Sequence, residues 1–468
     1  MVFMFALSPI LPAGLSFSGP FRRTRVQLLT DLTYLSEGST VTEQSIFEAI
    51  FEVIEGAQAY LVLDLFLFNG DYPAGRDYPQ LSKSVVDTLI ARKRRSPELP
   101  ILVITDPINT FYGASVRSHF ARLEKAGIEL VFTDLDRLPD SNPGYSFLYR
   151  RLAGRSSALS RFTLPNVLAP GKERMGLDSY ARLFNFKANH RKVVLSEREA
   201  VVSSANPHDA SAPNANFGFR VDGAVLADLL ASERAVYEFS APGGTFFTAL
   251  LPEDGAVAGT VPEVAAAPGA GNGEGHLAEV SLRTEGGIKE AVLELLARAR
   301  PGDLLVMGMF YLAEQELLAT LKETANRGVT VQVILDKNKD AFGRSKTGLP
   351  NLPVAFELAV AKIEVRWAAT HGEQYHPKFL GLIAENQTQI LAGSGNFTRR
   401  NISNFNLETS LLVRSESPEL QREFLDYWQR QWNNQDALFT EPLSAYKKPK
   451  PWDSTLYRFQ EKTGLGTF

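Results

Sequence analysis

The sequence predicts an α/β fold built from two similar halves, each a mixed, mostly parallel sheet flanked by helices. Three observations predict it. Apolar, strand-like runs alternate with segments of helical period, the order that gives parallel strands covered by helices. That order of elements occurs twice along the 468 residues. Each copy then reaches a stretch with histidine and lysine two apart, followed by serine and asparagine two apart.

The first copy opens at Thr40-Val41-Thr42-Glu43, which has the form of a capping box. Ile46, Phe47, Ile50, Phe51 and Ile54 follow at the spacing of one helical face. The apolar run Tyr60 to Phe68 reads as a buried strand. A helix from about Leu81 to Arg95 leads to a second strand, Ile101 to Asp106, ending in an acid. In the second copy Ile288, Val292, Leu295, Leu296 and Ala299 mark the helix, and Leu304 to Tyr311 the strand. A helix from about Glu314 to Asn326 is closed by Gly328, and the strand from Val329 again ends in an acid, Asp336. Asp106-Pro107-Ile108-Asn109 and Asp336-Lys337-Asn338 continue alike. Ser417 and Pro418 read as the N-cap and first residue of a closing helix to Trp432. Its Phe424, Tyr427, Trp428 and Trp432 are expected in the core.

The chain divides into an apolar N-terminal arm (1–39), a first half (40–252), a linker rich in Ala, Gly, Pro and Val (253–277), a second half (278–435) and a C-terminal tail (436–468). From Asp106 to His190 is 84 residues, but from Asp336 to His376 only 40. The first half therefore carries an insertion over about 138–182, with Tyr145, Phe147, Leu148, Tyr149, Phe162 and Leu164. It reads either as a lid or binding loop or as a surface excursion packing its own aromatics.

Composition narrows the function. With no cysteine there are no disulfides, thiolate metal sites or cysteine nucleophiles. A net charge of −4 and a pI of 6.0 disfavour a nucleic-acid binder, which needs a basic face. Met1 to Phe21 carry no charged side chain, so a signal peptide's basic n-region is missing. The run is also shorter than the roughly 20 apolar residues of a spanning helix. It reads as an arm packed on the domain, as an interfacial anchor followed by Arg22, Arg23 and Arg25, or as the end of a longer membrane helix. Lys447, Lys448 and Lys450 beside Trp452 form a basic cluster that is solvated or touches a membrane surface.

The chemistry lies in Asn189-His190-Arg191-Lys192, followed by Ser204 and Asn206, and in Tyr375-His376-Pro377-Lys378, followed by Ser394 and Asn396. On a strand, a spacing of two puts histidine and lysine on one face. The interval from Asn206 to Asn216 equals that from Asn396 to Asn406. A single His-x-Lys carries no weight. Two copies at the same place in a repeat do, in a chain with six histidines. Such residues suit a phosphodiester, whose negative charge must be neutralised before phosphorus is attacked. Lys192 and Lys378 supply positive charge, and Asn206 and Asn396 supply amide donors. Ser204 and Ser394 hold the lysines or the phosphate. The motifs contain no acid cluster suited to Mg²⁺ or Ca²⁺, so no metal or other cofactor is expected. His208 and His371 line the pocket or sit in solvated loops.

These paired motifs resemble the signature of the phospholipase D superfamily, His-x-Lys-x4-Asp followed by Gly-Ser-x-Asn, which occurs twice in its larger members. The resemblance runs from about Thr40 to about Arg430 and is closest to the cardiolipin synthases and related bacterial phospholipid-transferring members. It implies two phospholipase-D-like α/β domains in pseudo-twofold arrangement. It further implies metal-independent phosphodiester transfer through a phosphohistidine, a phospholipid substrate, peripheral membrane association and a site complete in one chain. There are departures. Glu197 stands for the motif acid in the first half and Ile383 in the second, and Ser203 replaces the glycine before Ser204. Glu408 matches a downstream glutamate with which family members orient a catalytic histidine across the pseudo-twofold axis, whereas the first half has Gly218 at that place. The resemblance thus implies His190 as nucleophile, oriented by Glu408, and His376 as general acid and base. Two other readings are a nuclease and a non-catalytic scaffold that binds anionic head groups. Ile383 and Ser203 are the scaffold reading's support.

Overall fold

The computed structural model describes residues 9–72, 77–115, 117–153, 161–250, 275–341 and 344–466. The apolar runs form strands buried on both faces, as strands covered by helices must be. In the first half these are β1 (Arg22–Ser36), β2 (Ser39–Glu43), β3 (Leu61–Leu65), β4 (Ile101–Thr105), β5 (Glu129–Phe132), β6 (Lys192–Ser196), β7 (Glu199–Ser203) and β8 (Asn216–Asp222). The second half adds β9 (His276–Thr284), β10 (Leu304–Met309), β11 (Thr330–Leu335), β12 (Glu364–Ala368), β13 (Lys378–Ile383), β14 (Thr388–Gly393), β15 (Thr409–Ser415) and β16 (Thr440–Pro442).

All sixteen belong to one sheet, in the order β16-β12-β11-β10-β13-β14-β15-β9-β1-β8-β7-β6-β3-β4-β5, with β2 on β1. From the centre outward the halves read alike: β9, β15, β14, β13, β10, β11, β12 against β1, β8, β7, β6, β3, β4, β5. The equivalent strands β1 and β9 pair antiparallel where the halves meet, from Arg22 opposite Val280 to Val26 opposite His276. An antiparallel pair of equivalent strands is what a twofold axis between them requires, so the pseudo-twofold expectation holds. One hydrophobic core crosses the junction, with the Phe217 ring 4.9 Å from that of Phe379.

The expectation of a mostly parallel sheet is corrected. Four pairings are parallel and eleven antiparallel. Strand–helix–strand crossovers build the outer three strands of each half. The inner four are joined to their neighbours as antiparallel partners, because short links such as Ser196 to Glu199 leave no room for a crossover helix.

Other expectations change too. Thr40 to Glu43 is no capping box, because these residues pair with Leu32 to Leu35 as β2. The helix Ile46–Gly56 begins after Ser45, and Asp31 Oδ1 on β1 accepts the N–H groups of Ser45 and Ile46. The 1–39 span is more than an arm: Arg22–Ser36 is the strand at the middle of the sheet, and Leu11 and Leu15 join the core. Arg22 and Arg25 face Asp228 and Asp222 at 3.0 and 3.9 Å. The linker lies outside the described residues over 251–274, and its expected end is already strand, since β9 starts at His276. The tail supplies β16 and a helix, Pro451–Thr463, whose Tyr457 is buried in the second core. Ser417 caps the helix Pro418–Trp432 as expected, accepting the Leu420 N–H at 3.2 Å.

Ser203 has a structural explanation. It lies opposite Gly218 across β7 and β8, whereas its counterpart Gly393 lies opposite Ser410 across β14 and β15. The glycine has changed strands, and each pair keeps room for one side chain. A Cβ built on Gly218 would lie 2.5 Å from that of Ser203. Gly218→Ala is therefore expected to destabilise the fold by about 1–3 kcal/mol through overpacking. Adding Ser203→Gly should recover most of that loss, as read by urea unfolding midpoints.

Candidate active site

The two motifs meet at the junction of the halves. His190 and Lys192 stand at the start of β6, and His376 and Lys378 at the start of β13, all four buried. The loop before each strand is tied to its own half by the acid that follows the next strand but one in the sheet. Asp106 Oδ2 accepts the Asn189 N–H, and Asp336 Oδ2 accepts the Tyr375 N–H, both at 2.8 Å. The loops are tied to the opposite half through backbone. The His190 N–H donates to Leu407 O at 2.8 Å, and the His376 N–H to Ala215 O at 2.9 Å. Each histidine is thus positioned jointly by both halves. The strand-ending acids were visible in the sequence as a repeated pattern, but their anchoring role was not.

The same pairing places the imidazoles. His190 Nδ1 lies 2.9 and 3.0 Å from the carboxylate oxygens of Glu408. His376 Nδ1 lies 3.2 Å from Asn216 Oδ1. Residue 408 follows Leu407 and residue 216 follows Ala215, so Asn216, not Gly218, is the counterpart of Glu408. The equal intervals to Asn206 and Asn396 mislead because the intervening loop is two residues shorter in the first half. Asn216 Nδ2 donates to Asp31 at 3.2 Å, which leaves its oxygen for His376 and for Ser204 Oγ–H at 3.1 Å. Glu408 accepts in addition from Ser394 Oγ–H and Asn401 Nδ2–H. With Nδ1 held this way, Nε2 of each ring is the nitrogen left for chemistry. The rings stand edge-on to Phe66 and Phe310, with centroids at 4.6 and 4.9 Å.

The expectation for the serines is corrected. Ser204 and Ser394 do not hold the lysines. Each hydroxyl donates to the acceptor of the opposite half's histidine and accepts a backbone N–H, from Phe217 at 3.1 Å and Thr409 at 2.9 Å. The lysines instead donate to the carbonyls of His190 and His376, both at 2.7 Å. Asn206 Oδ1 takes the Leu67 N–H at 3.4 Å, and Asn396 Oδ1 has no hydrogen-bond partner among the described residues.

The motif acids are not part of the site. Glu197 accepts the N–H groups of Gln58 and Ala59 at 2.9 and 3.0 Å and shapes the loop before β3. Ile383 ends β13 opposite Leu304 and Thr388. Both features that supported the scaffold reading therefore concern strand packing. His208 is buried against Ser211 and the Asp71 carbonyl, and His371 sits over Glu373 in its own loop.

Sequence reasoning also missed Arg191. Fully buried, it reaches Glu285 at 2.6 Å, Glu233 at 3.2 Å and Ser232 at 2.9 Å. The same Glu285 oxygen accepts the Glu408 N–H at 3.1 Å. An ionic chain thus runs from the variable position of the first motif to the residue that holds His190. The second motif has Pro377 there and no such chain.

The electrostatics at this centre would favour an anion. Burial, then Lys192 and Lys378, hold His190 well below the usual histidine range. Burial, then both lysines and His190, do the same to His376. Burial lowers Lys192 to about 7 and Lys378 well below the ordinary lysine value, the latter also through repulsion from Lys192. Burial pushes Glu408 up to about 7 against the pull of Lys192. A bound anion supplies the missing countercharge, so its binding must draw in protons. As pH rises through about 7, Lys192 loses its proton and Glu408 gains charge, and both changes oppose the anion. Sulfate, whose charge is constant above about pH 6, is expected to bind up to about tenfold more weakly per pH unit. Calorimetry in buffers of different ionisation enthalpy should show proton uptake. A pH-independent affinity would refute this.

Comparison with known proteins bears on the fold that carries this site. Residues 292–432 match the family model described as cardiolipin synthase, PLD-like domain. That match covers the half of the chain that holds the second motif, which is thus similar to the phospholipase D superfamily. Its fold is similar over nearly the whole length to phosphatidylserine synthase of Haemophilus influenzae Rd KW20, at 13% identity, 96% coverage of each chain and a TM-score of 0.57. Polyphosphate kinase from Porphyromonas gingivalis is 13% identical over 95% of this chain and 53% of its own, with a TM-score of 0.45. Nuc from Salmonella typhimurium, a phospholipase D family member, is 24% identical over 33% of this chain and 95% of its own, with a TM-score of 0.28. Curated proteins gave no match. Among the described residues no helix is long and apolar enough to cross a membrane, and no cluster of three metal-binding side chains occurs.

Proposed function

We propose that this protein transfers the phosphatidyl group of a phospholipid, to water or to an alcohol such as a second lipid head group, through a phosphohistidine. The observation that carries the reading is the inequality of the two histidines. His190 has a carboxylate on Nδ1 and His376 a neutral amide, in sites otherwise alike. A carboxylate fixes the tautomer and balances the positive charge that forms on an attacking imidazole.

Nε2 of His190 attacks phosphorus while the bond to the leaving alkoxide breaks. His376 gives that oxygen the proton from its Nε2. Lys192, Lys378, Asn206 and Asn396 stabilise the phosphoryl oxygens. Burial first, and then the lysine charges, keep His376 neutral in the free site; the bound phosphodiester offsets the lysine charges and pairs with the imidazolium, so His376 carries its proton in the complex. In the second step His376 takes a proton from the acceptor, whose oxygen attacks phosphorus, and the P–N bond breaks to free His190. A lipid substrate is supported by the cardiolipin synthase description of the matched model, by the phosphatidylserine synthase likeness in fold and by the exposed apolar side chains of the insertion that precedes His190. The same features support peripheral attachment to a membrane.

The test is turnover of phosphatidylglycerol vesicles with EDTA present, read by lipid mass spectrometry. Cardiolipin reports transfer and phosphatidic acid hydrolysis, and either should vanish in His190→Ala. Cleavage of single-stranded DNA without lipid turnover would overturn the substrate and favour the nuclease reading.

A further inference from the structure

The insertion contributes nothing to the chemistry just derived, yet it is built onto the site. It leaves the C-terminal end of β5, where Thr133 Oγ1 accepts the Asn189 side-chain amide at 2.9 Å, and returns directly into His190. Its base is closed by Lys187, which donates to Leu138 O at 2.6 Å and pairs with Asp140 at 3.0 Å. Its middle packs on Phe111 and Tyr112, just beyond Asp106, in a small separate core with Met175 and Tyr180. Arg399 of the second half, three residues past Asn396, reaches Ser141 O at 3.3 Å. The insertion therefore lies against the segments that carry both half-sites, Asn189 before His190 and Arg399 after Asn396.

Having its own core, the insertion could have buried its large apolar side chains. It leaves several outside instead: Phe147 is 59% exposed, Leu148 53%, Phe162 65% and Phe184 47%. Exposed apolar side chains concentrated on one segment mark an interaction surface. The charge of the segment says what kind. Residues 138–184 hold seven arginines and lysines against three acids, in a chain whose net charge is −4. Arg151, Arg161, Lys172, Arg174 and Arg182 are exposed among the apolar side chains. Apolar side chains that enter the acyl boundary and basic ones that meet phosphate head groups are the two components of interfacial binding to an anionic bilayer. The second half has no equivalent segment, so the contact would be one-sided and would orient the site toward the surface.

We propose that the insertion is the membrane-docking surface, seating the active-site mouth on an anionic phospholipid bilayer through Phe147, Leu148, Phe162 and Phe184 with the surrounding arginines. The proposal rests on the phospholipid reading above and deepens it. Phe147→Ser, Leu148→Ser and Phe162→Ser combined should leave the fold intact, because all three side chains are exposed. Wild type should sediment with phosphatidylglycerol vesicles and not with phosphatidylcholine vesicles. The triple variant's bound fraction should fall at least about tenfold, and vesicle turnover with it. Turnover of short-chain phosphatidylglycerol, below its micelle concentration, should stay within about twofold. Vesicle binding by the variant equal to wild type would overturn the proposal, as would wild type binding single-stranded DNA but not the vesicles. Docking that is lost in the variant while neither protein turns over any lipid would keep this inference and sink the phospholipid chemistry.

Discussion

Glu408→Gln is expected to slow turnover by about 10²–10⁴-fold with little change in fold, the range for removing charge from a group that orients a catalytic histidine. Glu408 has two acceptor oxygens, and three side-chain donors use them: His190 Nδ1, Ser394 Oγ and Asn401 Nδ2. Glutamine has one oxygen and an amide that can only donate. With the amide in place of Oε2, Ser394 and the imidazole face an N–H, which favours the wrong tautomer; with it in place of Oε1, Asn401 loses its acceptor and His190 keeps one oxygen of two. In both cases no negative charge remains to balance a cationic phosphohistidine. Asn216→Ala should be much milder, because His376 loses an orienting amide and no charge. Single-turnover rates, with melting curves as the control for folding, check this. Equal losses in the two variants would mean that the half-sites share the work evenly and that the assignment of His190 is wrong.

That inequality was only half legible in the sequence. The repeat, the alternation and the two motifs gave the architecture, since local period and order decide which strands and helices form. The balance of parallel and antiparallel pairs was not legible. It depends on how β6, β7 and β8 return beside β1, a tertiary choice that no window of sequence contains. Glu408 was legible as a partner of His190 through family resemblance. Asn216 was not, because counting forward from Asn206 lands on Gly218, and only the cross-half bridges at Leu407 and Ala215 set the register. Ile383 and Ser203 looked like damage to the motif. In space the first is a strand end and the second one side of an exchange with Gly218.

Arg191 shows why the variable position inside a motif can matter. Its partners, Glu285 from the second half and Glu233 from a helix of the first, are far apart in sequence, and nothing local announces them. A buried guanidinium among acids contributes little net stability, but it leaves few alternative arrangements. Here it fixes Glu285, Glu285 fixes the backbone of Glu408, and Glu408 fixes His190. Pro377 at the matching position fixes its own backbone angle and requires no such chain. The repeat has kept two copies of the His-x-Lys and Ser-x-Asn residues and has given only one histidine an ionic partner on Nδ1.

If that division is real, His376→Ala should stop the cycle halfway. The first step needs His376 only to protonate the leaving oxygen. A nitrophenyl phosphodiester, whose leaving group departs as a stable anion, bypasses that need, so attack by His190 should proceed. The second step needs His376 to take a proton from the acceptor: beside the bound phosphoryl group Lys192 and Lys378 keep their protons and donate to backbone carbonyls, and Glu408 is committed to His190. The variant should therefore release about one nitrophenol per site and then turn over about 10²–10⁴-fold more slowly than wild type. Mass spectrometry at alkaline pH should find the phosphoryl adduct on His190. An adduct on no residue, with the burst absent, would argue for direct attack by the acceptor. A burst from His190→Ala, with none from His376→Ala, would reverse the two roles and leave the Glu408 carboxylate as support for the acid rather than for the nucleophile.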